Sequence, residues 1–129
     1  MSYFKVVKYY RDALSNEEYF LSTSCNSNPY KVRYEINEWV KPKLEGSQLF
    51  VFNSLINAIN FTNNYCNTYD YKVFECEIDS PTPCRYLALE IFYIKDFWLS
   101  NELPNYRIKG APFGTVGCKA VKLTKEVKL

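Results

Sequence analysis

Hydrophobic and polar positions alternate with a period of two along most of the chain, and only one stretch has helical spacing. Tyr30-Lys31-Val32-Arg33-Tyr34-Glu35-Ile36 puts Tyr30, Val32, Tyr34 and Ile36 on one side and three charged residues on the other. This is the pattern of a strand with one buried and one wet face. Phe4 to Tyr10 is rich in β-branched and aromatic residues, the polar run Arg11 to Glu17 interrupts it, and Glu18 to Thr23 resumes it, predicting two strands joined by a turn. Tyr71 to Ile78 alternates again, as does the closing stretch Lys119 to Val127, where Val121, Leu123 and Val127 oppose Lys122, Thr124 and Glu126. Leu49-Phe50-Val51-Phe52 is apolar on both sides and predicts a central strand.

Directly after it, Asn53 or Ser54 is placed to cap a helix over about 54–64, with Leu55, Ala58, Ile59 and Thr62 at i, i+3, i+4 and i+7 and Phe61 widening the stripe. Pro42 demotes Trp39 to Lys43 to a loop or sheet edge, and Pro81 and Pro83 close the strand before them. Arg85 to Ile94 fits a strand better than a helix, and Phe97 to Phe113 reads as a long connection. These elements predict one α+β domain spanning 1–129, a twisted, mainly antiparallel sheet of six to seven strands with one main helix.

The chain has 129 residues, of which 47% are hydrophobic and 18% aromatic. That is enough to bury a core without covalent staples and speaks against disorder. No apolar run approaches the roughly 18–20 residues that span a bilayer, and Met1 to Lys5 lacks the basic-then-apolar layout of a secretory leader. A soluble cytoplasmic protein is expected. The five cysteines form no C-x-x-C pair, so reduced thiols are expected, with Cys76 a small buried hydrophobe.

Histidine is absent from the sequence. Ser-His and Cys-His catalysis and His-metal chemistry are excluded with it, and no cofactor or metal is implied. A net charge of +2 does not advertise DNA or an anionic membrane as a partner. Glu75 and Glu77 share a strand face and could form an acid–base pair, although alternating charge on an exposed face accounts for them more simply. Gly114-Thr115-Val116-Gly117 lacks the phosphate-loop pattern and reads as a tight turn into the last strand.

Bases interleave with aromatics in Lys8-Tyr9-Tyr10-Arg11, in Tyr30 to Tyr34 around Arg33, at Trp39 with Lys41 and Lys43, and at Phe97-Trp98. Flat rings stack nucleobases and fixed cations meet phosphates. The candidate ligand-binding set is therefore Arg11, Arg33, Lys41 and Lys43 for phosphate, with Trp39 and Trp98 for bases.

Phe4-Lys5-Val6-Val7-Lys8, the Tyr-x-Val-x-Tyr strand before Trp39 and Pro42, Leu49 to Phe52 entering Ser54-Leu55 and Ala58, Phe74-Glu75-Cys76-Glu77-Ile78, and Gly114-Thr115-Val116 leading to Val121-Lys122-Leu123 together resemble a group of small phage and bacterial proteins. That group overlaps the phage anti-defence sponge proteins of the anti-CBASS type, which hold cyclic nucleotide signals of bacterial immunity without cleaving them. The resemblance implies a non-catalytic homo-oligomer that binds a cyclic di- or trinucleotide in the host cytoplasm. One alternative is an ADP-ribosyltransferase-like enzyme using NAD, loosely echoed by Arg33, Ser54, Glu75 and Glu77. Another is a protein-binding inhibitor that uses exposed aromatics.

Overall fold

The structure, a computed structural model, describes residues 2–22, 32–43, 47–65, 70–84, 86–88 and 108–128. Its strands are β1 (Tyr3–Arg11), β2 (Glu18–Leu21), β3 (Arg33–Tyr34), β4 (Trp39–Val40), β5 (Leu49–Phe52), β6 (Tyr71–Asp79), β7 (Thr82–Pro83), β8 (Tyr86–Ala88), β9 (Ile108–Gly110), β10 (Thr115–Cys118) and β11 (Ala120–Val127), with helix α1 (Leu55–Tyr65) between β5 and β6. Nine strands form one sheet in the order β4-β11-β6-β1-β5-β10-β7, with β2 on β1 and β3 on β2, while β8 and β9 pair separately. The α+β class holds, with a main sheet of nine strands rather than six or seven. The additions are strands of two to four residues at edges and in connections. Outside the main sheet, β9, the partner of β8, falls inside Phe97 to Phe113, which the sequence presents as a connection.

Strand β1 organises the sheet because its two edges are used differently. One edge pairs continuously with β6 from Tyr3↔Cys76 to Lys8↔Tyr71. The other is shared: Phe4 pairs with Phe52 of β5, and Lys8 to Arg11 pair with Leu21 to Glu18 of β2. In the fork between β5 and β2 lies Lys5, only 7% exposed, whose Nζ donates to the Phe50 carbonyl at 2.6 Å and stands 5.3 Å from the Tyr34 ring centroid. A buried ammonium needs such partners, because desolvating a lone charge is prohibitive.

Alternation along β1 divides the interior into two clusters. Val7 points into one with Phe20, Tyr34, Phe74, Cys76 and Leu123, and Val6 into the other with Phe52, Ala58 and Val73. Helix α1 covers the second. Ser54 Oγ accepts the Asn57 N–H at 3.3 Å, and Ala58 and Thr62 on the apolar stripe are 0% and 2% exposed, as the spacing predicts. The first cluster is covered by the chain itself. From β2, β3 crosses the face with Val32 and Tyr34 turned inward; Ile36 then bridges Leu123, and a turn at Asn37 (φ 66°) lays β4 antiparallel on β11. The period-two reading of 30–36 therefore holds at Val32 and Tyr34, whereas Ile36 is 46% exposed because the chain leaves the face there. Tyr30 and Lys31 lie outside the described residues.

The reading of the last strand needs one correction. Its register on β6 shifts between Leu123 and Lys125, and Thr124 Oγ donates to the Glu75 carbonyl at 2.9 Å. An extra residue reverses all later side chains. Val121 and Leu123 accordingly join the Tyr34 cluster while Val127 packs on the helix side. The same shift turns Glu126 toward Lys72, 2.9 Å away. Gly114 to Gly117 is not a tight turn into the last strand: Gly114, with φ 84°, turns the chain into β10, which contains Thr115, Val116 and Gly117, and the last strand follows only at Ala120.

Three outcomes follow from this packing. Burial pushes the Cys76 thiol up to about 12 and that of Cys118 to about 11. At neutral pH both should resist iodoacetamide in the native protein while the partly exposed Cys84 reacts, and both should react once urea unfolds the chain. Gly114 has φ 84°, a conformation that strains any residue with a Cβ, so Gly114→Ala should cost about 1–3 kcal/mol in urea denaturation. Glu126 is held below the usual carboxylate range by Lys128 and Lys72, and Glu18 by Arg11 and Tyr9. For groups depressed by folding, the contribution is complete above the unfolded value near ~4.3 and is lost as pH falls through the folded one. Melting temperature should therefore decline below about pH 4, and less steeply in Glu126→Gln.

Candidate ligand-binding surface

Of the residues singled out by sequence, Trp39, Lys41 and Lys43 come together along one sheet edge. Val40 turns into the core, so its neighbour Trp39 turns outward and is 50% exposed. Register places Trp39 opposite Lys122 on β11, and Lys122 opposite Glu77 on β6. The three form a row across three strands: Lys122 Nζ stands 5.4 Å from the Trp39 ring centroid and 2.8 Å from Glu77 Oε2. Pro42 restricts Lys41 to extended backbone and ends the ladder, so exposed Lys41 and Lys43 follow the indole along the edge. Among the described residues neither lysine has a carboxylate partner. Lys122, with its Glu77 carboxylate, thus stands beside a half-exposed indole, and Lys41 and Lys43 follow it in the chain.

Arg11 and Arg33 lie elsewhere, at the limb made by β1, β2 and β3. Arg11 follows Tyr9 on the Tyr34 side and binds Glu18 at 2.7 Å; Glu18 also accepts the Tyr9 hydroxyl at 2.9 Å. The hydrogen bond to Glu18, and after it one with Tyr9, raise the guanidinium's own value. Arg33 emerges on the opposite side, 5.2 Å from the Tyr19 ring, with Glu17 and Glu35 each at 3.1 Å. Tyr19 in turn stacks on Tyr10 at 5.2 Å and 10°, and Lys8 Nζ stands 5.2 Å from the Tyr10 ring. A hydrogen bond from Lys8 to Tyr10 is the main cause that raises the Lys8 value. Each tyrosine thus has the other ring on one side and a cation beside it, so the stack satisfies itself. A phosphate reaching either arginine meets a guanidinium whose charge is already matched by a carboxylate. Trp98 lies outside the described residues.

The residues of the transferase alternative are each committed to separate partners. Ser54 caps α1, Arg33 is held by Glu17 and Glu35, Glu77 binds Lys122, and Glu75 accepts the Ser2 hydroxyl at 3.1 Å. Glu75 and Glu77 behave as alternating charge on a strand face. Among the described residues no cluster of three or more metal-ligating side chains occurs, and no helix is long and apolar enough to cross a membrane.

Lys122 and Glu77 were not legible as neighbours of Trp39. Lys122 is remote from it in sequence and meets it only through the β4–β11 register. The only local signal was the bare alternation of charge on β6 and β11. Protein-family models, curated proteins and solved structures give no match to this chain.

Proposed function

We propose that this protein is a phage immune-evasion factor that binds a cyclic di- or trinucleotide signal and withholds it from its receptor without cleaving it. The observation that carries the reading is the Trp39 edge: a half-exposed indole, Lys122 beside it, and Lys41 and Lys43 in sequence after it. A base stacked on an indole gains about 1–3 kcal/mol, and the lysines supply charge to the phosphates. Holding a ligand needs no activated nucleophile, which suits a chain with no histidine. An open sheet edge leaves one side of a ligand in water, and a second copy of the chain would cover it, so the reading includes a homo-oligomer.

A protein-binding inhibitor is the second reading, favoured by the β1–β2 turn. There Asp12 Oδ1 accepts the N–H groups of Leu14 and Ser15 at 2.8 and 3.3 Å, and the ordered turn leaves Leu14 100% exposed.

Calorimetry against a panel of cyclic di- and trinucleotides, followed by heat release and mass spectrometry, tests the first reading. Intact ligand should be recovered, Trp39→Ala should weaken binding by roughly 5- to 150-fold, and Lys41→Gln and Lys43→Gln should each flatten the salt dependence. Absence of binding across the panel, or recovery of cleaved ligand, rejects it.

A further inference from the structure

Glu77 is the one carboxylate of the Trp39 row, and it is bonded to the cation that stands beside the ring. A carboxylate at an anion-binding edge lowers affinity for anions, and the position of Glu77 shows through which cation it acts. Lys122 has a carboxylate at 2.8 Å and an indole at 5.4 Å, and the pair is on the surface, with side-chain exposures of 28% for Lys122 and 58% for Glu77. Surface pairs of this kind are weak and exchange readily with other anions. Held by Glu77, the ammonium stands beside an indole that remains half exposed. A phosphate carried by a nucleotide stacked there can compete for the ammonium, whereas a neutral nucleoside brings nothing to compete with.

We propose that Glu77 attenuates the phosphate affinity of the Trp39 edge: its carboxylate occupies Lys122, the cation beside the indole, and a ligand phosphate has to compete with it for that ammonium, so that Glu77 weakens phosphorylated nucleotides and leaves nucleosides of the same base unaffected. The inference rests on the nucleotide-binding reading of the preceding section. Glu77 is here a positioning residue that acts through Lys122.

Calorimetry with adenosine, AMP and cyclic di-AMP, each at two salt concentrations, tests it on the full chain. Glu77→Gln frees Lys122, so binding of AMP and cyclic di-AMP should tighten about two- to fivefold. The salt slope should steepen by about 0.7 for the added phosphate contact, and adenosine should be unchanged. Lys122→Gln should weaken both phosphorylated ligands, and in the double variant the gain from Glu77→Gln should vanish, because the effect passes through Lys122. Glu77→Asp retains the charge and should keep the parent's selectivity, which separates the charge from any structural role of the side chain.

Equal changes for adenosine and AMP in Glu77→Gln, no change in either, or a gain that survives in the double variant each overturn the inference while leaving nucleotide binding standing. Failure of the parent protein to bind AMP and cyclic di-AMP overturns this inference, and the nucleotide reading falls with it only when the whole panel of cyclic di- and trinucleotides fails to bind.

Discussion

The sheet depends on how β1 changes partners along one edge, and the Lys5 ammonium sits at that change. Past the Phe4↔Phe52 pair, β5 leaves, and β2 arrives only at Lys8. Lys5 reaches into the gap and binds the Phe50 carbonyl, two residues beyond the last shared pair, at 2.6 Å, with the Tyr34 ring against it. An apolar side chain there could fill the volume, but it would leave that carbonyl without this donor in a place where water is scarce. A cation on a long flexible stem meets both demands, since its methylenes pack while its head donates.

The fork also decides what each face becomes. With β5 drawn off, the β1–β2–β3 limb is free to bring Tyr34 over the cluster formed by Phe20, Phe74 and Leu123, while α1 closes the other side over Val6 and Val73. The crossing that carries Tyr34 inward delivers the chain to β11, and the turn at Asn37 then sets Trp39 beside Lys122. The exposed indole and the buried tyrosine are thus two ends of one short crossing. A position that supports the core also fixes the geometry of the candidate surface.

Much of this was legible locally. The strand-to-helix unit from Leu49 to α1, the outward alternation of Glu75 and Glu77, and the burial of Cys76 all follow from patterns within about ten residues, where period and capping chemistry act directly. Elsewhere the same reasoning misplaced side chains for identifiable reasons. Val127 was assigned with Leu123, but the bulge at Thr124 turns it to the helix side. Arg11 and Arg33 looked like partners in phosphate binding, yet they emerge on opposite sides of the limb, each with carboxylates from the turn and neighbouring strands.

The sequence by itself determined that this chain makes an α+β fold with a mostly antiparallel sheet and a helix after Leu49 to Phe52, and that histidine-based chemistry is closed to it. Those features are local or compositional, and periodicity and residue inventory are enough to read them. Only the tertiary structure decided which cations are neutralised and which accompany an exposed ring. Ion pairs and ring contacts act over a few ångströms between residues that register brings together from distant parts of the chain, and a one-residue bulge is enough to reverse the face on which a side chain appears.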